Sequence, residues 1–105
     1  MNHACVWHAQ VYADGRPLSE RHPVVILLER FGDGVLIRNL EAVEIPMVEP
    51  VVADRLQVCF YDGEDLRWTE HIDAYGQVVS GVNLRGGLTP PQSPGSARWL
   101  DERRN

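Results

Sequence analysis

The chain contains no lysine; all ten of its basic residues are arginine. That absence excludes Schiff-base chemistry on a lysine and the lysine of a phosphate-binding P-loop. An arginine-only composition also suits the GC-rich coding of a bacterium, a cause with no functional content. Cysteine is scarce. The two present, Cys5 and Cys59, are too few for a disulfide scaffold and read as free thiols packed on strands. Long apolar runs are missing as well. The longest, Val24 to Leu28, falls far short of a membrane span. The start, residues 1–10, has no basic stretch followed by an apolar one, so it does not read as a secretory signal. A cytoplasmic protein without a membrane partner is expected.

Motifs are absent too. His3, His8, His22 and His71 show no metal-ligand spacing, and no metal or other cofactor is expected. Gly32-Asp33-Gly34 and Gly86-Gly87 lack the glycine spacing and following helix of a phosphate loop and read as turn glycines. The formal net charge of −5 disfavours a polyanionic partner, so nucleic acid is not expected.

What the chain does have is alternation. With 105 residues and 44% apolar content it has the size and composition of one globular domain. Cys5, Trp7, Ala9 and Val11 share one face of a strand, with His8, Gln10 and Tyr12 on the other. Residues 13–22 form a polar connection. Val24 to Leu28 is β-branched and apolar on both faces, as in a central strand. The turn at Phe31-Gly32-Asp33-Gly34 admits a two- or a three-residue loop. Val43, Ile45 and Met47 alternate with Glu44, Pro46 and Val48. Pro46 marks an edge or strand end, and Pro50 closes the strand.

Residues 54–84 read as a three-stranded meander. A loop at Gly63-Glu64-Asp65 sets Phe60 against Trp68, Val58 against Glu70, and Leu56 against Ile72 on one face. The other face pairs Tyr61 with Arg67, Gln57 with His71, and Arg55 with Asp73. A second loop, Ala74-Tyr75-Gly76, has glycine in the last, left-handed position and sets Glu70 against Ser80 and Trp68 against Val82. The rival is a helix over 64–75 that ends at Gly76. Residues 1–88 are expected to form a small antiparallel sheet of six or seven strands, mainly β, curled into a barrel or sandwich. Residues 89–105 form a Pro/Gly-rich tail in which Ser96 caps a short helix carrying Trp99.

On the meander reading Glu70 is turned inward among apolar residues, where an acidic group is costly unless solvated. It is the candidate general acid or base, and Glu70, Ser80, Trp68 and Phe60 are the candidate ligand-binding residues. Arg55, Tyr61, Arg67 and His71 form a candidate interaction face. Asp73 has Arg55 as its natural partner rather than His71, so no His–Asp relay is read. Three functions follow. The first is a small-molecule binding module without catalysis. The second is a protein-interaction or regulatory protein, pairing as a homodimer through an exposed edge. The third is a small isomerase or hydrolase using Glu70.

Overall fold

The computed structural model describes residues 2–32, 34–39 and 41–84. The C-terminal tail, its helix and Trp99 lie outside the described residues, as does the boundary at residue 88. Every regular element described is a strand, which decides residues 64–75 against the helix. Helix propensity there loses to a period-two alternation that satisfies both faces of a sheet.

The strands are β1 (Asn2–Ala13), β2 (Arg16–Pro17), β3 (His22–Phe31), β4 (Gly34–Asn39), β5 (Val43–Asp62) and β6 (Asp65–Leu84). All pairings are antiparallel, in the order β4-β3-β1-β5-β6, with β2 attached to β1. The path has two ends, β4 and β6, which do not pair among the described residues. The sheet is therefore open rather than a barrel, and it has five principal strands plus the two-residue β2, at the low end of the six or seven expected.

Turn chemistry sets the registers. Asp14 and Gly15 both have positive φ (52° and 78°), the requirement of a two-residue type I′ turn, so the stretch read as a polar connection begins as a tight hairpin. Leu18 and Ser19 in that stretch are buried. Phe31 lies opposite Gly34, which decides for the two-residue connection between β3 and β4. Asp62 lies opposite Asp65, so the β5–β6 loop is Gly63-Glu64, two residues rather than three. Gly63 has φ 64° and Glu64 does not, the pattern of a type II′ turn, in which glycine comes first. The register slips between Phe60 and Tyr61, so Leu66 rather than Arg67 lies opposite Tyr61. Below the slip the expected pairs stand: Phe60 with Trp68, Val58 with Glu70, Leu56 with Ile72, Gln57 with His71, and Arg55 with Asp73.

The second expected hairpin does not form. Ala74, Tyr75 and Gly76 are a bulge within one continuous β6, opposed by Asp54 alone. Beyond it Gln77 pairs with Ala53, Val78 with Val52, Val79 with Val51, and Val82 with Ile45. The physical reason is long-range. Had residues 78–84 folded back on 66–72, the first half of β5 would have had no partner for its main-chain groups. Nor does Pro50 end β5; the register is irregular between Pro46 and Val51, and the strand continues to Asp62.

This twenty-residue ribbon bends and supplies both sides of the core. Its tip half carries Leu56, Val58, Phe60 and Trp68, and its base half carries Ile45, Met47, Val82 and Leu84. All belong to one buried cluster with Trp7, Ala9, Val11, Val24, Ile26 and Ile37. The base half reaches the β2 region directly, where the Val48 N–H donates to the Leu18 carbonyl at 2.9 Å. Ser19 fills the gap between β2 and β3: its Oγ accepts from the Val11 N–H at 3.0 Å and donates to the Glu20 carbonyl at 3.0 Å.

Candidate functional site

Glu70 lies where the alternation places it, opposite Val58 and between Trp68 and Ile72 on the core-facing row. Its carboxylate is half-buried, and Oε2 accepts a hydrogen bond from the Trp68 indole Nε1 at 2.5 Å. Burial pushes its pKa above the ordinary value, while the indole hydrogen bond and the nearby His71 pull the other way. Both chemical moves are familiar: desolvation disfavours the anion, and a donor to the anion favours it.

Of the other three candidate ligand residues, Trp68 meets Glu70 through that indole hydrogen bond, whereas Ser80 lies elsewhere. Phe60 is fully buried and Trp68 is 7% exposed, so both spend their area on the core. Ser80 is exposed on the base half of β6, across the bulge from Glu70, so the expected Glu70–Ser80 pair is absent. The bulge is the cause, because it carries residues 77–84 onward along β5 rather than back toward Glu70.

On the candidate interaction face the side chains pair with neighbours while Arg55 and His71 stay exposed. Arg55 sits 3.6 Å from Asp73, Arg67 sits 3.7 Å from Asp62, and Gln57 Nε2 is 3.3 Å from His71 Nε2. Tyr61 is stacked by Arg21 rather than Arg67, with the guanidinium carbon 3.8 Å from the ring centre. The same Arg21 donates to the Gly63 carbonyl at 3.0 Å, which ties the chain before β3 to the ribbon tip. The Tyr61 hydroxyl lies 3.0 Å from that of Tyr12. Burial and this hydroxyl pair push the Tyr61 pKa up to about 12. Arg21 lies far from Tyr61 in sequence, and only the β1–β5 pairing brings them together.

Cys5 and Cys59 are free. Burial, with the negative charge of Asp62 behind it, pushes the Cys5 thiol up, and Arg67 opposes this, so Cys5 is no activated nucleophile. Among the described residues no cluster of His, Cys, Asp and Glu is arranged to hold a metal, and no helix is long and apolar enough to cross a membrane.

Two features that the residue pattern did not single out stand at the bend of the ribbon. The first is a cleft of about 270 Å³. Its apolar lining includes Leu56, Ile72, Ala74, Val79 and Val82, with Asp73 and Gln77 among its polar residues. Every lining residue except Leu56 belongs to β6, so the cleft runs along the edge strand. The cleft lies beside the Leu56–Ile72 pair, and neither Glu70 nor Ser80 lines it. The second feature is the edge itself. Among the described residues β6 pairs with β5 alone, and residues 74–84 contain no charge and no proline. Next to that edge Val52 and Val78 face each other, 65% and 69% exposed. Apart from its bulge, this long edge with an exposed apolar pair beside it carries none of the charges or prolines that natural sheets use to protect their edges.

Two other clefts flank the Leu18–Val48 contact. One, of about 400 Å³, is lined by Arg16, Pro17, Leu18 and residues 48–51; the other, of about 300 Å³, is lined by residues 20–22 and 45–48. Glu70 lines none of the three. Comparison with protein-family models, with characterised proteins and with solved structures finds no match for this chain.

Proposed function

We propose that the domain is a protein-interaction module without catalysis, which accepts an extended segment of polypeptide along the base half of β6. The observation that carries this reading is the uncharged, proline-free edge at residues 77–84, whose outward main-chain groups have no strand partner among the described residues. Strand addition needs such an edge for main-chain hydrogen bonds and a neighbouring depression for side chains. Both are present at the bend. Glu70 fits a structural role better than a catalytic one. The Trp68 indole occupies one of its oxygens, and Glu70 lines none of the three clefts described.

The test is selection of binders from a displayed peptide library, followed by mapping of their footprint by amide exchange. Binders are expected to be extended, to protect residues 77–84, and to lose affinity for Ser80→Pro. A footprint on Arg55, Tyr61 and His71 instead, or indifference to Ser80→Pro, sinks this reading.

One observation favours a second reading, in which a small apolar molecule occupies the Leu56–Ile72 cleft. The cleft sets Leu56, Ile72, Val79 and Val82 beside Asp73, Gln77 and Asn83, a mixed lining suited to a molecule with an apolar body and a polar end. Such a ligand would shift the methyl resonances of Ile72 and Val79 without protecting the β6 edge amides.

A further inference from the structure

The cleft and the edge are one surface, and together they define what binds. Resting on the edge reading above, we infer that the bend of β6 is a recognition site for an extended peptide carrying one apolar side chain flanked by basic residues. That side chain fills the cleft lined by Leu56, Ile72, Val79 and Val82.

Three observations lead there. First, the size fits a side chain. At about 270 Å³ the cleft lies just under the range of roughly 300–1,000 Å³ for small-molecule sites. An aliphatic or aromatic residue is the natural filling. Second, the position fits strand addition. Because nearly all the lining comes from the edge strand, a peptide hydrogen-bonded to residues 77–84 turns every second side chain toward the cleft side. Third, the charge fits a basic flank. Asp73 lines the cleft. Asp54 Oδ1 lies 3.5 Å from where a β-carbon on Gly76 would stand, and Glu44 Oε2 lies 2.8 Å from the same position on Gly81. These three carboxylates are spread along the cleft from Asp73 to the Glu44–Asn83 pair, and among the described residues Arg55, 3.6 Å from Asp73, is the cation paired with one of them. The whole chain adds a net −5 in the same sense. A basic segment is attracted on approach, while an acidic one meets like charge.

The same charge argument separates a foreign strand from a second copy of this chain. Two copies each carry −5, and pairing through the base half of β6 brings both sets of these carboxylates toward one interface. The occupant is therefore a strand from a different, basic polypeptide.

The experiment uses the full chain and synthetic peptides of about ten residues, long enough to cover the edge. Each has alternating Thr and Val and a central test residue, with Lys or Glu flanks. Binding is read by fluorescence anisotropy and by exchange of the β6 amides. The Lys-flanked peptide with central Phe is expected to bind, to protect residues 77–84, and to shift the Ile72 and Val79 methyls. Phe→Ala in the peptide should weaken it by roughly tenfold or more, the loss expected for a buried ring. Glu flanks should weaken it further, and the Lys advantage should shrink as salt is raised. If all peptides protect the edge equally, whatever their central residue and flanks, the inference fails while the edge reading stands. If none protects it, or if N-methylated peptides bind as well as their parents, both fail. If the free chain is dimeric with residues 77–84 already protected, the occupant is a second copy and the basic-peptide assignment is overturned.

Discussion

At the scale of single residues, the two polar groups set against the core are handled differently. Ser19 is 4% exposed and completes the hydrogen bonding of the Val11 N–H. Ser19→Ala leaves that donor unsatisfied and should cost about 1–3 kcal/mol, measurable by urea denaturation; a loss under a few tenths would show that water replaces the hydroxyl. Glu70 is a cost rather than a support. Its pKa is raised in the fold, so between the ordinary value of 4.5 and the raised one the native state holds the proton more tightly than the unfolded chain. Its contribution is therefore most favourable below that window and is lost as pH rises through it. Glu70→Gln keeps an acceptor for the Trp68 indole and removes the ionisation. The variant should melt at or above the parent temperature at pH 7, with the difference closing below about pH 4.5. A variant less stable at pH 7 by an amount independent of pH would show that the carboxylate supports the fold. The inward phase of Glu70 was readable from the alternation around it. Its partner was not, because Trp68 sits two residues away on the same strand and an indole N–H in an apolar row reads as core.

At the scale of elements, the bend of the β5–β6 ribbon decides the architecture. Tyr75 and Gly76 both have positive φ, 55° and 74°, and let three residues of β6 oppose Asp54. A β-carbon on Gly76 would meet only Asp54 Oδ1, at an ordinary contact distance of 3.5 Å. The penalty of Gly76→Ala is therefore that of the backbone, about 1–2 kcal/mol, readable as a lower urea midpoint with unchanged slope. A changed slope would mean that the base half has come loose from the core. Much of the tip was legible in advance. Alternation fixed which residues share a face, and the five expected pairs from Phe60 with Trp68 down to Arg55 with Asp73 stand because the two-residue loop and the slip at Phe60 together give the same offset as the expected three-residue loop. The reversal after Asp73 was not legible, because Ala-Tyr-Gly fits a tight loop and a bulge equally well. Only the need of Val43, Ile45 and Met47 for a partner strand separates the two, and that is a demand from some thirty residues away. The Asp14-Gly15 turn, by contrast, was available in the sequence as a type I′ signal flanked by alternation.

At the scale of the whole molecule, the open sheet puts its least protected edge on the outside. Val78→Lys adds a charge at a position already 69% exposed, so the fold should be unaffected while concentration-dependent aggregation falls. Light scattering over a concentration series checks this, and an unchanged onset would place the sticky surface elsewhere. The strand order has a temporal side too. β1 is flanked by β3 on one side and by the tip half of β5 on the other, with Ala9 opposite Phe60. Its second flank arrives about fifty residues later in synthesis. At the usual 5–20 residues per second the nascent meander waits roughly 3–10 s with that flank bare. For those seconds Trp7, Ala9 and Val11 lack the β5 members of their core cluster, an interval in which a newborn sheet is open to misassociation.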